Sequence, residues 1–401
     1  MRRRDFLISA GATAGLATWT GIAQRPEAGG SLKATVQTNA TLLAARRQFD
    51  LADPLPLRHY AERKGLRYGA AIQRNYLSRD PEFAACFARE CHLLVPEGEL
   101  KWRTLRPSLK QFNFAPADAL LQFAQQNQMQ MRGHTLVWHQ SIPKWFATEV
   151  NSRNAEGILV NHIQTVMGHY AGKLHSWDVV NEPIHLKDNR ADGLRNSPWL
   201  QWLGPDYIEL AFRTAAATDP NTLLVLNEFG LDYDTWQWNR KREALLTLLQ
   251  KLLSRGTPIH ALGIQAHLWA RDSLRFFNPD KMRAFLQSVA ALGLKILITE
   301  LDVADHQLPA QLEERDRLVA SIYEDYLSVV LEEPAVIAVL TWGLSDRYTW
   351  LARYHPRADQ LPVRPLPLDA QLQRKLAWNG IARSFSFAPS RSLAFTPLMK
   401  S

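Results

Sequence analysis

Eight short apolar runs rich in β-branched residues, each separated from the next by a longer helical stretch, predict an α/β fold built as a single (β/α)8 TIM barrel. Glutamates close two of the runs, Glu182 after 175–180 and Glu300 after 295–299. A strand buried on both faces reads as such a run, and a carboxylate becomes possible where it reaches the rim. The competing fold, an open doubly wound sheet, normally shows a Gly-rich dinucleotide loop after its first strand, and the segment after Ala70 and Ala71 has none.

The chain has 401 residues, a length that a barrel reaches as one domain. It opens with Arg2-Arg3-Arg4-Asp5-Phe6-Leu7 and an apolar Ala- and Gly-rich stretch to Ala23, too short to cross a bilayer. That layout predicts an export signal over 1–23, and Arg3-Arg4-Asp5-Phe6-Leu7 resembles a twin-arginine start. A flexible lead-in is expected over 24–41, where Pro26, Gly29 and Gly30 interrupt any period. Helical spacing begins near Leu42, and the catalytic barrel is expected over 42–385. Its extended runs are 68–73, 92–95, 131–138, 175–180, 222–226, 261–267, 295–299 and 336–342. Between them lie helices with readable ends, such as the one stopped by Thr218-Asp219-Pro220. Residues 386–401, Ser-rich and basic, are expected to form an irregular, dispensable tail. No later segment holds the roughly 18 uncharged apolar residues of a membrane helix, so the mature protein is expected in the periplasm or the medium, off the membrane.

Composition narrows the function. Hydrophobic residues at 46% and charged residues at 21% exclude a wholly disordered chain. The 13 Trp, 10 Tyr and 16 Phe supply rings that stack on sugars or bases when a cleft exposes them. The formal charge is +8, or +6 without residues 2–5, but no Lys and Arg run is interleaved with aromatics, and a nucleic-acid partner is not expected. Cys86 and Cys91 fall in a helical pattern and at the start of an extended run, which predicts two buried free thiols. No His or Cys pair has zinc spacing, so neither metal nor cofactor is implied.

The strand ends carry the chemistry. Glu300 lies two residues before Asp302 and Gln265 two before His267, so each pair faces one side of an extended chain. His267 is then placed to touch Glu300 and Asp302 together, holding the first ionised as a nucleophile requires. Asn181 beside Glu182 suits a sugar hydroxyl, while Glu182 must keep its proton to act as an acid, a state favoured by the charge of Glu300. Asn227-Glu228 also closes a run, which makes Glu228 a rival or a decoy. Further clusters follow other runs: Glu97, Glu99, Lys101 and Trp102; His134, Trp138, His139 and Trp145; Trp342, Asp346, Arg347 and Trp350. Charged donors beside indoles are the furniture of a sugar subsite.

Six ordered motifs resemble glycoside hydrolase family 10, over about 42–381. They are Glu97-x-Glu99-Leu100-Lys101-Trp102, Arg132-Gly133-His134-Thr135-Leu136-Val137-Trp138-His139, Trp177-Asp178-Val179-Val180-Asn181-Glu182-Pro183, Gly263-Ile264-Gln265-Ala266-His267, Ile298-Thr299-Glu300-Leu301-Asp302 and Thr341-Trp342-Gly343. The resemblance implies a retaining endo-1,4-β-xylanase, with Glu182 as acid/base, Glu300 as nucleophile, and His267 and Asp302 supporting it. It implies substrate contacts from Glu97, Lys101, His134, Trp138, Asn181, Gln265, Trp342 and Trp350, and reduces Glu228 to a supporting residue. Two departures thin the glycone side: Gly98 stands where the family usually has Asn, and Ser141 where it usually has Gln. Each lost hydrogen bond costs on the order of 1 kcal/mol of binding.

The expected partner is xylan or its oligosaccharides, bound by a monomer without cofactor. An exo-acting or cellulase-like glycanase remains an alternative on the strength of Gly98 and Ser141, and a non-catalytic glycan-binding barrel is the alternative of another class.

Overall fold

The computed structural model describes residues 47–51 and 55–391. The expected export signal at 1–23, the lead-in at 24–41 and the tail beyond 391 lie outside the described residues. Each expected run overlaps a strand: β1 (Arg67–Ile72), β2 (Leu93–Pro96), β3 (Gln130–Val137), β4 (Ser176–Asn181), β5 (Leu223–Glu228), β6 (Ala261–Ile264), β8 (Lys295–Ala304), which runs five residues past its expected end, and β9 (Val336–Thr341). All pair in parallel in chain order, and pairing of β1 with β9 and of β6 with β8 closes a barrel of eight. One expected run is split. After β6 the chain breaks at Gln265-Ala266, Ala266 adopts a left-handed backbone (φ 59°), and a short β7 (His267–Trp269) resumes against β8. That break sets His267 directly opposite Asp302.

Burial explains why the runs read as nearly continuous apolar stretches: every residue of β2, β4, β5 and β6 is buried. Alternate side chains from the strands, among them Ala71, Val95, Val225, Leu297 and Leu340, fill the lumen. The larger core lies between the strands and the surrounding helices. Those helices begin where the sequence supplies caps. Asp80 accepts from Phe83 N before Pro81–Glu90, Thr235 from Trp238 N before Trp236–Ser254, and Asn278 from Lys281 N before Pro279–Ala291. The helix Tyr207–Thr218 stops at Asp219, as the turn predicts.

Two end regions differ from expectation. Residues 47–51, where helical spacing was expected to be under way, have no regular structure, and the first described helix is Leu57–Glu62. The tail expected to be irregular from 386 stays helical to Phe387 in Leu376–Phe387. Arg391 then reaches back across the barrel end, donating to Val336 O (2.8 Å), Leu331 O (2.6 Å) and Glu333 O (3.0 Å). Composition suggested looseness, but a guanidinium satisfying three carbonyls makes this part structural. Cys86 and Cys91 are both buried free thiols, as expected.

Several histidines are buried without charge. Burial drives His92 and His175 each down to about 3 and holds His162 well below its usual range. His162 stacks on Trp102 at 3.7 Å, and neither of its ring nitrogens has a partner among the described residues. An unfolded histidine takes up a proton below about pH 6.5, which these folded ones refuse, so stability falls as pH drops through that value by about 1.4 kcal/mol per pH unit for each. The urea midpoint is therefore expected to fall markedly from pH 7 to pH 5, and His162→Phe to flatten that slope. An unaltered slope in the variant would contradict the assignment.

Candidate active site

The barrel rim gathers the candidate residues because the ends of β4, β5, β6, β8 and β9 converge there. Glu182 is the first residue past β4, and its backbone turns into the left-handed region (φ 56°) as its N–H donates to Asn227 O (2.8 Å). Such a conformation costs a β-carbon-bearing residue on the order of 1 kcal/mol, a strain the surrounding hydrogen bonds must hold. The carboxylate of Glu182 accepts from Gln265 Nε2 (3.2 Å) and lies 3.4 Å from Asn181 Nδ2.

Glu300 lies within β8 rather than at its end, and is almost wholly buried. Its Oε1 accepts from Asn227 Nδ2 (2.8 Å), and its Oε2 faces His267 Nε2 (3.2 Å). The other ring nitrogen of His267 meets Asp302 Oδ1 (3.0 Å), whose second oxygen accepts from Trp350 Nε1 (2.8 Å). Burial alone would lower His267, but Asp302 and Glu300 raise it to about 10, so the ring is an imidazolium donating to both carboxylates. Burial alone would raise Glu300. The His267 hydrogen bond, with charge from His134, His267 and Lys101, overcomes it and holds the carboxyl at about 2. One carboxylate is thus fixed in its charged form.

A second layer surrounds them. Lys101 Nζ lies 4.9 Å from the Trp138 ring and 5.6 Å from the Trp342 ring; burial pulls its protonation down while Glu300, Glu97 and Glu182 hold it up. Glu97 accepts from Gln73 Nε2 (2.8 Å), and its burial, opposed by Gln73 and Lys101, leaves it at about 7. His134 is locked by Nδ1 against Asp178 Oδ2 (2.9 Å) and packs edge-on against Trp342 at 5.3 Å. Beside Glu182 is a small recess lined by Trp138, His139, Arg195, Ser197, Trp199 and Tyr207 among others. Trp138 Nε1 is buried there without a hydrogen-bond partner among the described residues, and His139 Nδ1 and Arg195 Nη2, also without one, each lie 3.8 Å from Glu182 Oε2. Such donors suit hydroxyl-rich ligands. Among the described residues no group of three or more His, Cys, Asp and Glu is set to hold a metal ion.

The structure does not bring every candidate to the cleft. Trp102 and Trp145 donate to Leu136 O and Arg106 O, Glu99 accepts from Arg74 N, Asp346 pairs with Lys375 at 2.6 Å, and Arg347 pairs with Asp80 at 2.6 Å. Glu228 is buried on the far side of its strand, bound to Lys241 Nζ (2.8 Å) and Ile184 N (2.9 Å). Its neighbour Asn227 faces the cleft instead, because successive residues of a strand alternate.

Asn227 is the residue that sequence reasoning passed over. Its Nδ2 donates both to Asn181 Oδ1 (2.9 Å) and to Glu300 Oε1 (2.8 Å), while Thr299 Oγ1 donates to its Oδ1 (2.7 Å). It ties the two carboxylate-bearing strands together. Asp178 and Gln73 were also missed, although a charge inside a fully buried strand and an amide closing β1 were visible signals.

Gly263 leaves the room Asn227 needs, since a β-carbon there would stand 2.3 Å from Asn227 Oδ1. Gly263→Ala is expected to reproduce the kinetic defect of Asn227→Ala, roughly a tenfold loss in kcat/KM, from displaced hydrogen bonds to a charged group. Full activity in both variants would show that the amide positions nothing. Replacing His267 with Asn removes the cation that holds Glu300 down. The acidic limb of the kcat/KM profile is then expected to climb from below the usual assay range toward ordinary carboxylate values, with kcat/KM down roughly 10²-fold. An acidic limb that stays put would refute the pairing.

Comparison with known proteins agrees with this geometry. The family model for glycosyl hydrolase family 10 matches residues 56–384. The endo-1,4-beta-xylanase B of Thermotoga neapolitana is 33% identical over 300 residues, 74% of this chain and 83% of that protein. The exoglucanase XynX of Acetivibrio thermocellus is 33% identical over 78% of this chain but only 28% of its own length. Among solved structures, xylanase 10B of Thermotoga petrophila in complex with xylobiose superposes with a TM-score of 0.75 at 30% identity, covering 84% of this chain and 98% of the other. A closed barrel of eight parallel strands, with the family's motifs at its rim and its model matching most of the length, makes this chain a member of glycoside hydrolase family 10.

Proposed function

We propose that this protein is a retaining endo-1,4-β-xylanase, with Glu300 as nucleophile and Glu182 as acid/base. The observation that carries the roles is the contrast between the two carboxylates. Glu300 is gripped by His267 at 3.2 Å and Asn227 at 2.8 Å, while Glu182 is held more loosely, by Gln265 at 3.2 Å and with Arg195 and His139 each 3.8 Å from its Oε2. Glu300 attacks the anomeric carbon of a xylan unit, the bond to the leaving oxygen breaks, and Glu182 gives that oxygen its proton. Glu182, now a carboxylate, takes a proton from water. The resulting hydroxide displaces Glu300 and restores both groups. His267 and Asp302 keep the nucleophile charged and aimed; Asn181 and Gln265, both bonded around Glu182, are suited to sugar hydroxyls at the reacting unit. Glu97, Lys101, His134, Trp138, Trp342 and Trp350 form the glycone wall.

A specific observation favours a second specificity. No atom lies within 4 Å of where a Gly98 β-carbon would be, so the glycone wall is open there and lacks an amide. That gap, together with the similarity to an exoglucanase, suits a cellulase-like or exo-acting variant of the same chemistry. The twin-arginine start supports export to the periplasm or medium, and a monomer working without cofactor fits the site.

Glu300→Ala is expected to lower reducing-sugar release from xylan by roughly 10⁴-fold or more. Glu182→Ala is expected to spare glycosylation by a dinitrophenyl xylobioside, whose leaving group needs no proton, and to slow release of the glycosyl-enzyme, seen as a burst. Xylan hydrolysis persisting in Glu300→Ala would end the assignment. A wild-type protein that releases no sugar but is retarded on a xylan affinity gel would point to a binding barrel, and faster cleavage of cello-oligosaccharides to the second specificity.

A further inference from the structure

Among the described residues Trp236 is the most exposed large hydrophobic side chain, 78% accessible. It opens the helix Trp236–Ser254, which follows β5. In a (β/α)8 barrel the start of each such helix lies at the rim where the strands end, so this indole shares a face with Glu182 and Glu300.

Its side of the rim is defined by contacts. Arg195 Nε donates to Glu182 O (2.7 Å), and its guanidinium lies 5.9 Å from the Phe229 ring, which Lys241 Nζ approaches to 3.5 Å. A β-carbon at Gly230 would be 3.6 Å from Lys241 and 4.0 Å from Trp238, so the loop after β5 packs closely on the helix that Trp236 begins. In the strand order, β4 and β5 stand across the barrel from β9 and β1, near which Trp342 and Trp350 form the glycone wall. A polymer held on that wall, with Glu182 protonating its leaving oxygen, must leave over the β4 and β5 side. The base beneath Trp236 is also fixed. Thr235 caps the helix, Asp234 accepts from Asn239 (2.9 Å) and Asn278 (2.9 Å), and Arg240 lies 6.0 Å from the indole.

We propose that Trp236 is a distal platform for the leaving-side segment of xylan, stacking its ring on the apolar face of a xylose unit beyond those gripped near Glu182. This rests on the xylanase reading above. An isolated surface leucine needs no explanation, but an exposed indole on a fixed base at the barrel rim matches the flat, weakly polar face of a pyranose. Arg240 beside it supplies donors to the sugar hydroxyls.

The test compares kcat/KM for xylohexaose with kcat/KM for nitrophenyl xylobioside, which is too short to reach the helix. In Trp236→Ala the ratio of the two is expected to fall roughly three- to tenfold, the range a single ring contact contributes, and in Trp236→Phe to recover most of it. Because the side chain is exposed, folding is not at issue. A ratio unchanged in Trp236→Ala, or an equal loss on both substrates, overturns the platform while leaving the xylanase assignment standing. A wild-type enzyme that cleaves neither substrate overturns both.

Discussion

The site depends on one cation. Glu300 and Asp302 are both buried on β8 within a short reach of each other, an arrangement whose repulsion and desolvation would ordinarily drive one carboxyl to keep its proton. His267 lies between them and bonds to each. As an imidazolium it converts a costly like-charge pair into an alternating row, which Trp350 extends by donating to Asp302. The proposed role of Glu300 as nucleophile needs a carboxylate that is charged yet shielded from water, and this row supplies both conditions.

The placement of that cation follows from a break in the barrel. Had β6 run on unbroken, His267 would have followed the register that pairs Ile264 with Ile298. The left-handed turn at Ala266 starts a new register in which His267 faces Asp302. Asn227 does the matching work on the other side, joining Asn181 on β4 to Glu300 on β8 through one amide. Gly263 makes space for it. Backbone irregularities at Glu182 and Ala266 therefore stand where chemistry needs an aim that a regular strand cannot give.

Elsewhere the barrel uses the opposite solution for histidine. His162 and His175 are buried without a carboxylate partner and stay neutral, while His267, only partly enclosed, is charged because two carboxylates face it. Local sequence does not separate these cases. The identity of the neighbours does, and every neighbour comes from a distant strand or helix.

The sequence by itself determined the strand order and the fold class, because buried parallel strands must be apolar throughout and so announce themselves. It also determined the two carboxylates and the His267–Asp302 relationship, since motif residues sit at strand ends and alternate faces with period two. Only the tertiary structure decided which polar residues share the cleft. Asn227 and Glu228 are adjacent in sequence, yet one faces the reacting groups and the other a buried lysine. Asp346 and Arg347, which their position after the last run placed with the sugar contacts, are taken by Lys375 and Asp80. The tail, too, became structural only through carbonyls that Arg391 meets across the barrel. Hydrogen bonds and ion pairs between residues far apart in the chain carry no local periodicity, and so leave no trace until the barrel closes.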